Sequence, residues 1–148
     1  MKPEPGRGAV TPAPRLRISR REGFNAAHQL RDAARSDEEN QRLYGKCVNL
    51  HGHNYVLEVV VGGAIDPESG YVMDLKRLSD LMTAEIIQHV DHRNLNTDVP
   101  WLRERIPTAE NLALAFWERL RPCLPPDSLR AVRVYETEKN WAECSCED

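Results

Sequence analysis

Residues 47–61 read CVNLHGHNYVLEVVV. The second half of this stretch, residues 55–61, is rich in β-branched and aromatic side chains, which pack well on a pleated surface and therefore predict a β-strand. Because successive side chains of a strand point to opposite faces, His51 and His53 are expected to project from the same side, with Gly52 adding no bulk between them. The stretch thus predicts a strand that opens with two converging imidazoles.

Segments on both sides of this stretch predict the remaining elements. Period-two alternation of apolar residues predicts three more strands. They cover residues 15–27, 131–137 and 141–146. Two amphipathic helices are expected between the second and third strands, one running from Leu75 to about Val90 behind an Asp74 cap and one beginning after Thr108. The order ββααββ predicts an α+β fold with an antiparallel four-stranded sheet and two helices on one face.

Length and composition favour one domain. The chain has 148 residues, of which 41% are hydrophobic and 29% charged, which is enough to bury one core and outside the composition of disordered chains. Residues 1–14 are rich in proline and glycine and predict a disordered tail, so residues 15–148 form the expected domain. Within it, the polar excursion 29–46 is expected to hold a short helix, because Ser36 and Glu39 have the spacing of a capping box.

Charge and cysteine content limit the partners and the compartment. The formal net charge of -3 gives no broad attraction to nucleic acid or to anionic membranes. No apolar run approaches the roughly 18 residues that a membrane span needs, and no signal peptide is expected. The four cysteines lack the density of a secreted disulfide framework, so we expect reduced thiols and a cytoplasmic location. Cys144 and Cys146 receive no functional assignment.

A third histidine completes a candidate metal site. His28 ends the first predicted strand on its apolar face and can join His51 and His53 if the first two strands pair antiparallel. Three neutral imidazoles suit zinc, and a three-ligand tetrahedral site leaves the fourth position for water or substrate, which is typical of catalytic zinc. In the alternative interpretation, His28 is an ordinary strand-end residue and the His-Gly-His pair is a solvated turn. Spacing alone leaves both interpretations open.

Other polar positions can take part in chemistry. A thiol near a metal loses its proton more easily, so Cys47 can be a base or a nucleophile, although a lone cysteine is more often an inert buried one. Asp91 and His92 form a possible proton-transfer pair, although adjacent residues need not hydrogen-bond to each other. Glu136 shares strand parity with apolar valines, so it either lies at a solvated strand end or accepts hydrogen bonds from N–H groups of a ligand.

Taken together, several motifs resemble the family of 6-pyruvoyl-tetrahydropterin synthase and 6-carboxy-tetrahydropterin synthase. The resemblance covers roughly residues 24–138, and the motifs occur in the family's order. The motifs are Phe24-Asn-Ala-Ala-His28, Cys47-x3-His51-Gly-His53-Asn54, Asp91-His92-Arg-Asn-Leu95-Asn96, Pro107-Thr-Ala-Glu110-Asn111 and Tyr135-Glu136-Thr137. Each motif is weak alone, but the ordered set is highly specific.

The resemblance implies a role for each candidate residue and an assembly. The implied groups are zinc ligands, a base with its acid–base partner, and a pterin pocket. They are His28, His51 and His53 for zinc, Cys47 with Asp91 and His92 for proton transfer, and Glu136 with Thr108 for the pterin. The implied fold is the tunnelling fold (T-fold), in which sheets of several subunits join into a barrel. A homohexamer of two trimers, with active sites at subunit interfaces, is implied as well.

The substrate that the resemblance implies is 7,8-dihydroneopterin triphosphate, from which triphosphate is eliminated. The phosphates need a locally basic surface, because the chain as a whole is acidic. Lys46, Arg42 and Arg93 are the candidates for it.

Two products are compatible with this substrate: 6-pyruvoyl-tetrahydropterin, toward biopterin, and 6-carboxy-5,6,7,8-tetrahydropterin, toward queuosine. The three residues between Cys47 and His51 resemble the carboxy-forming enzymes, whereas residues 36–47 resemble the animal, pyruvoyl-forming type. We expect the 6-carboxy product and keep the 6-pyruvoyl product as the alternative. A zinc hydrolase and a non-catalytic pterin-binding protein are the remaining alternatives.

Overall fold

The computed structural model describes residues 14–146, and within this range the chain forms a five-stranded sheet. The strands are β1 (Leu16–His28), β2 (His51–Gly63), β3 (Arg93–Asn94), β4 (Leu129–Tyr135) and β5 (Trp141–Ser145). Their spatial order is β3-β1-β2-β4-β5. Apart from Pro14, the predicted tail lies outside the described residues.

β1 and β2 form the long antiparallel pair on which the candidate site is built, and each strand has 13 residues. The register places His28 opposite His51 and Ala26 opposite His53. β4 pairs antiparallel with β2, and β5 pairs antiparallel with β4. The four predicted strands are therefore confirmed, and β2 begins early enough to include the histidine motif itself.

The predicted antiparallel four-stranded sheet is extended by β3, which pairs parallel with β1 at Ala26 and Ala27. Because β3 has two residues and no apolar periodicity, the sequence pattern could not predict it. Contacts on both sides hold it against β1: Asp91 Oδ1 accepts a hydrogen bond of 2.9 Å from the backbone N–H of Asn25, and the N–H of Leu95 donates to the carbonyl of Ala27 at 2.8 Å. The sheet is therefore mixed.

Helices α2 (Leu75–Met82) and α3 (Ala109–Leu120) cover one face of the sheet and bury its apolar side chains. Their N-caps are the predicted ones, since the side chains of Asp74 and Thr108 each accept a backbone hydrogen bond from the first turn. α3 packs against β4 and β5, and α2 packs against β1. None of the described helices combines the length and apolar character needed to cross a membrane.

α2 continues through a π-helical turn (Thr83–Ile87) and ends at Val90, as predicted. The buried residues Leu78, Met82, Ile86 and Val90 recur every four positions, and each is 0% exposed. At 3.6 residues per turn, each four-residue step drifts by about 40° around the axis. The wider π turn takes up this extra rotation and keeps the last two side chains on the buried face.

The polar excursion between β1 and β2 contains α1 (Asp37–Tyr44) and a 3-10 turn (Gly45–Val48). The predicted capping box is present, because the side chains of Ser36 and Glu39 each accept a hydrogen bond from the other residue's backbone N–H. The side chain of the buried Asn40 makes four hydrogen bonds to backbone groups of the preceding loop and of the cap. The excursion is therefore an ordered connection that delivers the chain to the start of β2.

Candidate metal centre and active site

Three histidine side chains meet at one end of the β1–β2 pair, on the face covered by the helices. His28 ends β1, His51 begins β2 directly opposite it, and His53 follows on the same face. One ligand atom from each residue lies within 4.8 Å of the others. The Nε2 atoms of His28 and His51 are 3.1 Å apart, close to the roughly 3.3 Å that separates two nitrogens of a tetrahedral zinc site. The convergence predicted from strand parity is confirmed.

Backbone carbonyls fix the orientation of two of the three rings. Nδ1 of His28 lies 2.8 Å from the carbonyl oxygen of Pro107, and Nδ1 of His51 lies 2.7 Å from that of Asn49. A carbonyl oxygen can only accept, so each Nδ1 carries the ring proton and each Nε2 keeps a lone pair. The two lone pairs face each other across 3.1 Å with no proton between them. Metal-binding histidines are oriented by second partners in this way, and a metal ion satisfies both lone pairs.

Burial keeps the third ring neutral and leaves it without a partner. Burial lowers the pKa of His28 and of His53 below the ordinary histidine value. His53 Nε2 is buried and has no hydrogen-bond partner among residues 14–146. The nearest acidic group, Glu136 Oε1, is 3.7 Å away, too far for a hydrogen bond. Three converging imidazoles, one of them with an Nε2 that has no partner among the described residues, are a donor set that zinc takes, so the residues fit a metal ion.

Tyr55 lies on the core side of the three histidines, a position that the sequence analysis did not include in the site. It is 1% exposed, and its ring stacks on Phe24 with 4.8 Å between centroids. Its hydroxyl oxygen lies 3.2 Å from Nδ1 and 3.5 Å from Nε2 of His28. Burial raises the pKa of Tyr55 beyond its usual range, so the group is a neutral phenol. Its shared strand parity with His51 and His53 was the available sequence signal.

Cys47 lies in the 3-10 turn between α1 and β2 and is half-buried. Its carbonyl oxygen accepts a hydrogen bond of 2.8 Å from the N–H of Leu30, two residues after His28. This contact attaches the turn to the end of β1, next to the metal site. Lys46 and Arg42, two of the basic residues suggested for phosphate binding, are exposed on this turn and on α1.

Glu136 and Thr108 reach the three-histidine site from the C-terminal half of the chain. Glu136 directly follows β4, and its carboxylate is the acidic group closest to His53, at 3.7 Å. Thr108 follows Pro107, whose carbonyl contacts His28. The Thr108 hydroxyl accepts the capping hydrogen bond of α3, which leaves its own proton available to a ligand. Both predicted pterin-binding residues therefore come from segments that border the site.

The predicted acid–base pair lies at the β3 edge of the sheet. Asp91 Oδ1 is 3.0 Å from His92 Nδ1 and accepts a hydrogen bond from the N–H of Asn25, which lowers the pKa of Asp91. Asn25 precedes His28 by three residues, a distance of roughly 10 Å along a strand. The side chain of His92 is 76% exposed. The two neighbours do interact with each other, and no hydrogen bond among the described residues joins either of them to a histidine of the cluster.

His92 lines an open groove of about 560 Å³ at the β3 edge of the sheet, together with Arg93. The lining also includes six residues of β1 and β2. They are Asn25, Ala26, Ala27, Gly52, His53 and Asn54. Asn25, Ala27 and Asn54 alternate with the histidine-bearing positions, so their side chains face the side of the sheet that the helices do not cover. His53 belongs both to the lining of this groove and to the three-histidine cluster.

The fold and the site define the class of protein first: an α+β protein with a three-histidine site that can hold a metal ion next to an acceptor carboxylate. A family model described as 6-pyruvoyl tetrahydropterin synthase matches residues 17–147. The chain belongs to this family.

Relatives and solved structures agree with this membership. The 6-pyruvoyl tetrahydrobiopterin synthase of Homo sapiens is 46% identical over 125 residues, which cover 83% of this chain and 86% of the relative. The enzyme of the same name from Dictyostelium discoideum is 42% identical over 124 residues, covering 84% and 91%. The structure of Caenorhabditis elegans 6-pyruvoyl tetrahydropterin synthase matches with a TM-score of 0.85 at 39% identity, over 90% of this chain and 97% of that one. The expected T-fold is confirmed.

Proposed function

We propose that this protein is a zinc-dependent lyase that eliminates triphosphate from 7,8-dihydroneopterin triphosphate and forms 6-pyruvoyl-tetrahydropterin. The observation that carries the proposal is the convergence of three imidazoles, with His53 Nε2 left unsatisfied 3.7 Å from a carboxylate oxygen of Glu136. A lyase for this substrate needs both parts, a Lewis acid for the side-chain oxygens and an acceptor for the pterin N–H groups.

The 6-pyruvoyl product replaces the 6-carboxy product that the sequence analysis favoured. That expectation depended on the three residues between Cys47 and His51. The relatives at 46% and 42% identity carry the 6-pyruvoyl name, and identity over most of the chain is a broader basis than one loop length. The 6-carboxy product remains the second candidate, because it shares the elimination step.

In this proposal His28, His51 and His53 hold the zinc ion. The carbonyl contacts of His28 and His51 support the assignment, since they set the tautomer that a metal ligand needs. When bound, the ion polarises the side-chain oxygens that coordinate it and so makes neighbouring C–H and O–H groups more acidic.

Cys47 is the proposed base. It removes a proton from a side-chain carbon of the substrate, the electrons of that C–H bond form a carbon–carbon double bond, and triphosphate leaves with the electrons of its C–O bond. Attachment of the Cys47 turn to Leu30 supports this role, because it holds the residue beside the end of β1. A cytoplasmic location is part of the proposal, since all four cysteines are free and a thiol base has to stay reduced.

Glu136 and Thr108 are the proposed pterin anchors. An ionised carboxylate can accept two parallel hydrogen bonds from the guanidine-like edge of a pterin, and a threonine hydroxyl can donate to a ring atom. Their positions after β4 and at the start of α3, both bordering the histidines, support this assignment.

Asp91 and His92 are the proposed acid–base partner of Cys47, acting across a subunit interface in a homohexamer of two trimers. The support is the exposure of the His92 side chain and the groove that it lines together with His53. If each active site is shared between copies, these residues complete the site of a neighbouring subunit.

One experiment with two arms tests the proposal. Zinc-loaded protein is incubated with 7,8-dihydroneopterin triphosphate, and the products are identified by mass spectrometry. Release of triphosphate with the mass of 6-pyruvoyl-tetrahydropterin supports it. A 6-carboxy product with a two-carbon fragment overturns the product assignment, and no triphosphate release overturns the lyase and favours a hydrolase or a binding protein.

The second arm uses the variants Cys47→Ala and His92→Ala, each expected to be inactive alone. Dissociated and reassembled in equal amounts, they should recover about one quarter of the wild-type activity, because random pairing leaves that share of interfaces with both residues intact. Recovery of no activity would overturn the shared site.

A further inference from the structure

The hydroxyl of Tyr55 is a buried polar group next to the metal site. The residue is 1% exposed, and its ring is held between β1 and the helices by stacking on Phe24. Among the described residues, its hydroxyl has two hydrogen-bonding neighbours, the two ring nitrogens of His28 at 3.2 and 3.5 Å. The oxygen is therefore almost equally far from both ring nitrogens.

Neither nitrogen of His28 can accept the Tyr55 proton once the site holds a metal ion. Nδ1 carries a proton that it donates to the carbonyl of Pro107 at 2.8 Å. Nε2 has the lone pair that faces His51, and a coordinated ion uses it. The Tyr55 hydroxyl can then at most accept a second, weaker interaction from Nδ1–H. Its own proton needs another acceptor.

A buried hydroxyl proton without an acceptor is unfavourable, and native proteins avoid it. Among the described residues, no hydrogen bond joins the Tyr55 hydroxyl to an acceptor other than His28. The hydroxyl is 3.5 Å from His28 Nε2 and the Glu136 carboxylate is 3.7 Å from His53 Nε2, so both groups lie beside the atoms that would hold a metal ion.

We propose that the Tyr55 hydroxyl donates a hydrogen bond to the oxygen atom of the ligand that occupies the open position of the three-histidine site. This inference rests on the proposed function for the identity of that ligand, a pterin side chain with hydroxyl or keto oxygens. The Tyr55 hydroxyl would be a hydrogen-bond donor on the side of the ligand oxygen that faces the protein core. A donor there stabilises negative charge as the oxygen loses its proton, in the way that an oxyanion hole does.

Oxygen ligands and nitrogen ligands of the metal should differ in whether they can accept a hydrogen bond from Tyr55. An oxygen atom bound to a metal keeps lone pairs that can accept the Tyr55 proton. The coordinated nitrogen of imidazole has no lone pair left, and its other nitrogen carries a proton. Loss of the Tyr55 hydroxyl should therefore weaken the binding of oxygen ligands and leave the binding of imidazole unchanged.

The test uses the full chain loaded with cobalt(II), whose visible absorption reports on the open coordination position. Acetohydroxamate and imidazole are titrated into wild type and Tyr55→Phe, which keeps the stacked ring and removes the hydroxyl alone. We expect the affinity for acetohydroxamate to fall roughly 10- to 100-fold, the range for one hydrogen bond to a charged acceptor, while the affinity for imidazole changes less than about twofold. Tyr71→Phe, which removes an exposed hydroxyl in the loop after β2, should match wild type for both.

Two results would overturn the proposal. Equal affinity of Tyr55→Phe and wild type for acetohydroxamate would show that the hydroxyl makes no such bond. An equal loss for both ligands, or loss of the metal itself, would show that Tyr55 only positions His28. Neither result depends on turnover, so a failure here is distinguishable from a failure of the lyase assignment, which the product analysis measures.

Discussion

Polar groups on the two faces of the sheet differ in how completely they are hydrogen-bonded within the chain. On the helix-covered face, at the β1–β2 end, His28 and His51 point lone pairs at each other and His53 has an unpartnered Nε2. On the helix-free face, the carboxylate of Glu58 on β2 lies at the centre of a network in which each partner is satisfied. Glu58 is 4% exposed and His28 is 1% exposed, so burial alone does not distinguish the two sites.

The network around Glu58 is saturated with hydrogen bonds. Its carboxylate accepts from Arg21 at 2.9 Å, from Arg133 at 2.9 Å and from the hydroxyl of Tyr135 at 3.1 Å. Burial on its own would raise the pKa of Glu58, but the hydrogen bonds from Arg133, Arg21 and Tyr135 outweigh it and the pKa is lowered. The carboxylate is thus ionised and fully paired.

The difference between the faces indicates which cluster can hold a ligand. A buried polar group whose hydrogen bonds are made within the chain contributes to the structure and has no free donor or acceptor for another molecule. A buried group without such hydrogen bonds can bind a molecule from outside the chain. The histidine cluster can therefore hold a ligand, whereas the glutamate network is part of the framework.

Removing a metal ligand should give the largest effect. We expect His51→Ala to lower the affinity for zinc by about 1000-fold or more, since even the partners of metal ligands are worth 10- to 100-fold. Stability of the metal-free protein should change little, because the substitution also removes one of two opposed lone pairs. Competition with a chromophoric chelator measures the affinity, and urea unfolding of the metal-free protein measures the stability.

The matched control for this substitution is His89→Ala. His89 lies at the end of α2, and its Nε2 is 3.1 Å from the carbonyl of Ala84, away from the cluster. It should bind zinc as wild type does. Equal zinc affinity of the His51 and His89 variants would contradict the assignment of the cluster as the metal site.

Lowering the pH should have a smaller effect on the protein, and this effect should arise from the histidine face and not from Glu58. Burial lowers the pKa of His28 and of His53, so below their ordinary value of about 6.5 the unfolded chain binds more protons than the folded one. The free energy of unfolding of the metal-free protein should therefore fall as the pH drops from about 7.5 to 5.5. Glu58, whose pKa is lowered, stays ionised throughout this window.

Urea unfolding of the metal-free protein at several pH values in this window measures the effect. His53→Gln, which cannot titrate at that position, should show a shallower dependence. A stability that is independent of pH, or an unchanged slope in the variant, would contradict the assignment of neutral buried imidazoles.

Much of the site could be predicted from the sequence because it depends on strand parity. His51 and His53 share a face by the two-residue period, and the antiparallel pairing that brings in His28 follows from two long neighbouring strands. The caps Asp74 and Thr108 were predictable for a similar reason, since a cap is a local interaction between a side chain and the next turn.

The rest depends on contacts between distant segments. β3 is placed by the hydrogen bond between Asp91 and Asn25, not by its own two residues. That placement also puts Asp91 and His92 at the edge of the sheet. The contact of the Tyr55 hydroxyl with His28 is likewise a tertiary contact, although parity already placed the two rings on one face.

Neutralising the carboxylate of the saturated network should give the smallest effect and complete the comparison. In Glu58→Gln the side-chain shape and one acceptor oxygen remain, but the amide N–H₂ group faces a guanidinium and loses a charge-assisted hydrogen bond. We expect the free energy of unfolding to fall by about 1–2 kcal/mol, a value limited by the partial solvent exposure of Arg21 and Arg133. Zinc affinity should be unchanged.

Glu143→Gln is the control for this substitution. Glu143 also pairs with Arg133 but on the edge strand β5, where water can replace the lost partner, so its cost should stay within about 0.5 kcal/mol. Urea unfolding measures the stability of both variants, and chelator competition measures their zinc affinity. Glu58→Gln should lower the stability and keep the zinc affinity, whereas His51→Ala should lower the zinc affinity and keep the stability. Loss of zinc from Glu58→Gln would show that the two faces are coupled, and the distinction between framework and ligand site would then fail.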